Sequence, residues 1–351
     1  MGEDSIPKGK GLPNRWYEIL INHSNLDVIK SKSFLIQNGF NKVFHIEAAD
    51  SKFIFRVSST SKPIPLGRED YLCELEILEF IGKQGFSIAR PIKWKSGKYV
   101  LEVVDDQKER FFCSMFDFAS GKPVLPYTSH QQYELGQFLG KLHQCMNRLS
   151  TSYRRIRWDI ANGVIRPISQ FKKFRQTKNP IECLKLDKIQ SWMIQTLQKY
   201  EGLLPKGFVH GDLHNLNIHF SSNNEFTLFD FDFMAESYLV FDLVCFIGTE
   251  RLFLEMKSLR DREISYNAFI KGYESVRTLN PKELEILPVL EIMRWLILLG
   301  TWAELSETRA EEFKNGLSQR FESTMDRIDW LMDVYGNTEF YLNRKKKLNS
   351  L

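Results

Sequence analysis

The stretch FVHGDLHNLNIHF, residues 208 to 220, holds three of the chain's seven histidines, His210, His214 and His219, together with Asp212, Asn215 and Asn217. Three kinds of chemistry use these side chains. Imidazole and carboxylate ligate zinc, so His210, Asp212, His214 and Asp230 would form a hydrolytic metal centre. A carboxylate beside a reacting hydroxyl is a general base. A polar turn would use the same groups to satisfy its own backbone. His210 and His214, at i and i+4, share a face only on a helix, and Gly211 and the following NLN read as a loop. That spacing weighs against zinc. His219 lies on an apolar run and reads as a satisfied core histidine. A second acidic cluster follows in FTLFDFDFMAESYLVFDL, 226 to 243. Asp230 and Asp232 are two residues apart and point the same way if the strand continues. Asp242 sits in the apolar LVFDLVCF, where a carboxylate needs partners to be buried.

The elements that must position these groups follow from periodicity. KVFHIEA (42–48) and KFIFRVSS (52–59) are rich in aromatic and β-branched residues and predict a hairpin, preceded by a flexible turn at NGFN (38–41). REDYLCELEILEFIGKQG (68–85) repeats its apolar residues at helical spacing and ends on Gly85, a helix stop. SIARPIKW, GKYVLEVV and RFFCSMFDFA read as three further strands. After ASGKP (119–123) the pattern turns helical over 129–149 and 186–204, and again over 280–305 and 316–336. The predicted class is α+β with two lobes. A small strand-rich lobe with one helix spans 16–118, a larger helical lobe spans 119–340, and the hinge is near 115–120. A flexible tail (1–15) precedes them and a basic tail (341–351) follows.

Phosphoryl transfer needs a carboxylate by the acceptor hydroxyl, with an amide oxygen and a second carboxylate to hold Mg2+ on the phosphates. Protein kinases space these as H-R-D-x-x-x-x-N with a later Asp. HGDLHNLN carries His210, Asp212 and Asn217 with the same Asp-to-Asn interval, and Asp230 follows one short hairpin later. The chain resembles the aminoglycoside phosphotransferase family of kinase-like enzymes, whose H-G-D-x-H-x-x-N and I-D-[WF]-[DE] segments are matched by HGDLHNLN and LFDFDF, and whose D-L by FDL. The resemblance implies ATP and Mg2+ as cofactors, Asp212 as catalytic base, and Asn217 and Asp230 as magnesium ligands. It implies that Asp242 braces the loop and that His210 and His214 support it without binding metal. Asp232 would add a metal contact or brace the loop. Phe233 stands where the family often has a second acid.

The match continues upstream. FIFRV puts Arg56 where kinase-like folds place a phosphate-gripping Lys, with Glu74 on the next helix as its partner; an Arg keeps the charge and forks to two oxygens. Asn38 and Gly39 stand in the phosphate-covering loop. Met115, Phe116 and Phe118 lie in SMFDFASGKP, which matches the adenine-binding hinge, with the phenylalanine rings read as core or lobe-interface aromatics. GQFLGKLH (136–143) matches the helix after the hinge. The expected activity is ATP-dependent transfer to a hydroxyl of a small molecule such as an amino sugar or amino alcohol. The alternative is a nucleotide-binding pseudokinase acting through a partner. Glu236, Asp159 and Glu274 are candidate acids for an amine-bearing acceptor, and RRIRWD (154–159) stands near the cleft or in a surface loop.

Other classes fit poorly. Lys+Arg 48 against Asp+Glu 44 is nearly balanced, which argues against nucleic acid. ILPVLEIMRWLILLGTW (286–302) is apolar but carries Glu291 and Arg294, each costing roughly 2.5–3.5 kcal/mol at a bilayer centre. At i and i+3 these two are expected to pair on a buried core helix. Five widely spaced cysteines suggest reduced thiols and, with no apolar leader, a cytoplasmic monomer or homodimer. RKKK (344–347) reads as a solvated tail.

Overall fold

The computed structural model describes residues 10–39, 41–60, 64, 66–175, 180–253, 259–306 and 311–335. The basic tail expected over 341–351 and residues 1–9 lie outside the described residues. In chain order the elements begin with helix α1 (Asn14–His23), strands β1 (Phe34–Asn38), β2 (Lys42–Glu47) and β3 (Lys52–Ser59), helix α2 (Arg68–Lys83), and strands β4 (Pro91–Ile92), β5 (Leu101–Val104) and β6 (Arg110–Asp117). Then come α3 (Ser129–Met146), α4 (Arg166–Arg175), α5 (Pro180–Lys199), β7 (Lys206–Val209), β8 (Ile218–Phe220), β9 (Phe226–Leu228) and β10 (Ala235–Tyr238). Helices α6 (Phe241–Phe253), α7 (Leu259–Glu274), α8 (Pro281–Glu285), α9 (Leu287–Ser306) and α10 (Glu311–Val334) complete the chain. By their contacts the residues divide into two units. One contains Met1–Gly121, Thr151–Arg155 and His219–Phe229; the other contains Lys122–Ser150, Ile156–Ile218 and Asp230–Leu351.

The first unit is built on an antiparallel sheet ordered β1-β2-β3-β6-β4, with β5 also pairing β6. Alternation along the strands separates two faces. Phe44, Ile46, Phe55, Val57, Cys113 and Met115 form a core with Trp16 and Leu20 of α1. The opposite face carries Arg56, paired across the sheet with Val43 and Ser114, and Ile54, paired with His45 and Phe116. Helix α2 buries Tyr71, Leu75, Leu78 and Ile81 at helical spacing, and Glu74 with them. Its start is fixed by the Gly67 N–H donating to Asp70 Oδ2 at 2.9 Å, and Gly85 beyond its end has φ +83°. The sequence missed β1 and α1, and the predicted tail is ordered by residue 12: Leu12 is buried and its N–H donates to Ser33 O at 3.1 Å.

The second unit is helical. A capping box starts α3: Gln131 N–H donates to Thr128 Oγ1, and Thr128 N–H to Gln131 Oε1. Helices α3 and α7 touch closely at Gly136, where a Cβ would stand 2.0 Å from the Phe269 carbonyl oxygen. Helix α9 is buried along most of its length, as the apolar run predicted. Pro288 is tolerated there because it lies in the first turn, where no intrahelical N–H bond is lost. Among the described residues no helix is long and apolar enough to cross a membrane.

Candidate active site

Strand β7 pairs antiparallel with β10, Val209 opposite Ala235. The chain leaves β7 through His210 and Gly211, turns, and reaches a short 3-10 turn at Asn215–Asn217. Gly211 makes that exit possible. Its φ is +81°, and a Cβ would stand 2.1 Å from the Phe233 carbonyl oxygen. Gly211→Ala is therefore expected to displace the loop; left-handed backbone at a non-glycine residue costs about 1–3 kcal/mol before any clash. Thermal unfolding alongside an activity assay checks this, and an alanine variant with native melting and turnover contradicts it.

The loop is held from behind by Asp242, in the first turn of α6 and 0% exposed. His210 N–H donates to Asp242 Oδ2 at 2.7 Å and Gly211 N–H to Oδ1 at 2.8 Å. His143 of α3 donates from Nε2 to Oδ2 at 2.9 Å and accepts at Nδ1 from Tyr273 OH at 2.9 Å; that hydroxyl in turn accepts from Arg277 Nη1 at 3.2 Å. The thiol of Cys245 donates to Gly211 O at 3.4 Å. This buried carboxylate thus has three donors at hydrogen-bond distance, which meets the requirement its apolar sequence setting imposed.

Within the loop, His210 Nδ1 accepts from Asp212 N–H at 3.2 Å, and its ring packs 4.4 Å from that of Phe231. His214 Nδ1 accepts from Leu216 N–H at 3.2 Å. That leaves Nε2 to donate to Asp212 Oδ2, also at 3.2 Å. The other carboxylate oxygen, Oδ1, receives Arg294 Nη2 at 3.1 Å. Burial alone would raise the Asp212 carboxyl; the ring of His214, then Arg294 and His210, outweigh it and hold the group well below the usual carboxylate range. Asn217 donates from Nδ2 to the Asp212 carbonyl at 2.9 Å. Its amide nitrogen is thereby committed, and its Oδ1 is the atom that could hold a cation.

Asp230 follows β9 in a left-handed conformation, φ +63° and ψ +64°, and is exposed. A 3-10 turn, Phe231–Phe233, starts directly after it. The strand therefore does not continue as the period-two reading required. Asp230 is exposed while Asp232 is buried, 5% exposed, so the two acids do not share one face. Aspartate tolerates this backbone better than most residues. The packing of Phe231 on His210 ties the residue after Asp230 to the start of the catalytic-type loop. Among the described residues no group of three or more His, Cys, Asp or Glu could hold a metal, which removes the support for a zinc centre on His210, Asp212, His214 and Asp230. An Asn217 amide oxygen and an Asp230 carboxylate are hard oxygen donors, the kind Mg2+ takes beside nucleotide phosphates.

In the first unit Arg56 forks onto Glu74, Nη1 to Oε1 at 2.7 Å and Nη2 to Oε2 at 3.0 Å, both residues being buried. Its guanidinium lies 4.8 Å from the Phe116 ring centroid. Arg155, in the RRIRWD stretch, donates from Nη1 to the Asp70 carbonyl at 2.9 Å and lies 3.7 Å from Glu74 Oε2. Asn38 and Gly39 form the turn after β1, where Gly39 N–H donates to Asn41 O; Phe40 between them lies outside the described residues. Met115 points into the core with α1, and Phe118 is half-buried with its ring 5.2 Å from that of His45. His219 is half-buried and satisfied by Ala119 O at 2.9 Å. Of the candidate acceptor acids, Glu236 is paired with Arg157 at 3.0 Å and Asp159 Oδ1 accepts from Asn162 N–H.

Three contributors escaped the sequence reading. Arg294 was expected to pair with Glu291. Instead Glu291 accepts from Arg327 at 2.9 Å and from Trp295, while Arg294 reaches Asp212. His143, at the end of GQFLGKLH, and Arg155, in RRIRWD, are separated by 99 and 81 residues from the acids they meet, and neither stretch reveals its partner.

A strand-rich unit, a helical unit and a braced His-Gly-Asp loop are the build of a kinase-like phosphotransferase. The model of the phosphotransferase enzyme family matches residues 35–279, and the chain belongs to that family. Amicoumacin kinase of Bacillus subtilis (strain 168) is 26% identical over 299 residues, 79% of this chain and 82% of that protein. Among solved structures, amicoumacin kinase hAmiN in complex with AMP-PNP, Ca2+ and Ami has a TM-score of 0.72 at 18% identity, covering 90% of this chain and 94% of that one. A microcompartment-associated aminopropanol kinase has a TM-score of 0.73 at 17% identity, covering 94% and 100%. At such identities the structures share the fold.

Proposed function

We propose that the chain transfers the γ-phosphoryl group of ATP to a hydroxyl of a small molecule, of the amino alcohol or amino sugar kind. The observation that carries this reading is the commitment of the Asn217 amide nitrogen to the Asp212 carbonyl. It fixes the spacing between a carboxylate and an amide oxygen, on a loop whose backbone Asp242 pins. Asp212 orients the acceptor hydroxyl. The acceptor oxygen bonds to the γ-phosphorus as the bond to the β,γ-bridging oxygen breaks. ADP leaves with that electron pair, and the hydroxyl proton passes late to Asp212. Asn217 and Asp230 would hold Mg2+, which when bound neutralises charge on the phosphates. Arg56, steadied by Glu74, adds a cation for the phosphates, and Asn38, Gly39 and the backbone near Met115, Phe116 and Phe118 complete the nucleotide-binding part of the reading.

The names amicoumacin kinase and aminopropanol kinase point to two acceptors worth testing first, and other amino alcohols and hydroxy amines extend the set. An ATP-consumption screen over 1-amino-2-propanol, amicoumacin, homoserine, choline and amino sugars, with Asp212→Ala as blank, is expected to give Mg2+-dependent turnover with at least one of them. If no acceptor is phosphorylated, and MgATP is bound without Asp230-dependent hydrolysis, the chain is a nucleotide-binding pseudokinase.

A further inference from the structure

Helix α9 is apolar along most of its length, yet it carries a guanidinium into the second unit's core. Arg294 is 5% exposed. Its Nη2 donates to Asp212 Oδ1 at 3.1 Å, its guanidinium carbon lies 5.7 Å from the Trp295 ring centroid, and its buried Nε has no hydrogen-bond partner among the described residues. The buried acid of the helix, Glu291, is served by Arg327, so Arg294 is not needed to neutralise its own helix. Replacing a whole buried ion pair by well-packed apolar residues is often neutral or stabilising, so stability alone does not account for this charge. Here it ends on Asp212, the carboxylate proposed above to meet the acceptor hydroxyl.

Resting on the reading of Asp212 as the group that meets the acceptor, we propose that Arg294 is a positioning residue for phosphoryl transfer: it locks the rotation of the Asp212 carboxylate. The carboxylate has two oxygens with about four lone-pair positions. Arg294 occupies a position on Oδ1 and His214 one on Oδ2. With both oxygens anchored, the carboxylate plane cannot turn, and the acceptor hydroxyl meets it in one orientation. Arg294 forms and breaks no covalent bond. Its charge also weakens Asp212 as a proton acceptor, so the carboxylate works by orienting the hydroxyl, with proton transfer late. This suits a transition state in which little proton abstraction is required.

The test is a cycle of four proteins, native, Arg294→Gln, Asp212→Asn and the double variant, with Arg294→Lys as a fifth. Each is assayed for γ-phosphate release from MgATP with water as acceptor under single-turnover conditions, and for MgATP affinity. Arg294→Gln is expected to slow the step roughly 10–100-fold, the effect of a small misplacement of a reacting group, with MgATP affinity within about twofold of native. Arg294→Lys, which keeps the charge and loses the planar fork, is expected to recover part of the rate. In the Asp212→Asn background, removing Arg294 is expected to change nothing more, because the two act as one unit. Additive losses, or weakened nucleotide binding at an unchanged rate, overturn the positioning role. If Arg294→Gln does not fold, Arg294→Lys carries the test, and a native rate in it rejects the fork. An inactive Asp212→Asn beside a fully active Arg294→Gln rejects Arg294 alone. An Asp212→Asn variant at the native rate, or a native protein that neither hydrolyses MgATP nor phosphorylates an acceptor, rejects the reading of Asp212 and this inference with it.

Discussion

Asp212→Asn is expected to slow turnover by roughly 10²–10⁴-fold, the usual worth of a positioned acid–base group, while MgATP still binds with near-native affinity. An amide keeps the shape of the side chain and an oxygen for Arg294. It loses the negative charge that, in the proposed reaction, draws the acceptor's hydroxyl proton, and it turns an NH2 group toward either Arg294 or His214, both donors. Steady-state kinetics with the first acceptor found, together with calorimetric MgATP titration, separates the two quantities. Weakened nucleotide binding at an unchanged rate would move Asp212 out of the chemistry. The same substitution carries a pH signature. The folded Asp212 carboxyl lies below its ordinary value of 3.8. A depressed carboxyl contributes stability that is fully present above its unfolded value and is lost as pH falls through the folded one. The stability difference between native and Asp212→Asn is thus expected to hold from about pH 8 down to about pH 5 and to close only in stronger acid.

Asp242→Ala is expected to have the largest effect on folding, destabilising the chain by about 3–5 kcal/mol. That is a large part of the about 5–15 kcal/mol by which a typical domain is stable. The carboxylate accepts from two backbone N–H groups and an imidazole, all in a fully buried setting. Truncation strands three donors where no water reaches, and each buried unsatisfied group costs about 1–3 kcal/mol. Asp242→Asn is a sharper variant, because its single carbonyl oxygen cannot serve both sides and its NH2 must face a donor. Urea unfolding measures the loss. His143→Ala, which removes one of the three donors and leaves both loop N–H bonds intact, is expected to cost less than either. Equal stability of Asp242→Asn and native protein would mean that the loop is held by other bonds.

The legible part of this molecule was local. The hairpin 42–48/52–59 appeared as β2 and β3, and 68–85 as α2, because alternation and helical spacing are properties of neighbouring residues. Strand β1 was lost because FLIQN has no clean alternation, although the turn at NGFN follows it directly; it becomes a strand by pairing with β2. The hairpin β8–β9 groups with the first unit although its sequence lies inside the second, through Ile88 bridging Leu228. A linear reading with one boundary had no means of seeing that return.

The sequence by itself determined the make-up of the loop: the HGDLHNLN types, the glycine that must turn, the Asp-to-Asn interval, and a buried acid at 242 that had to find donors. All of these depend on residues within one another's reach along the chain. Only the tertiary structure decided which donors Asp242 found, that Asp230 and Asp232 part company at a left-handed turn, and that Arg294 serves Asp212 while Arg327 serves Glu291. The physical reason is that a charge in an apolar helix declares only a need for a partner. Several partners satisfy that need equally well on paper, and packing of distant helices chooses among them.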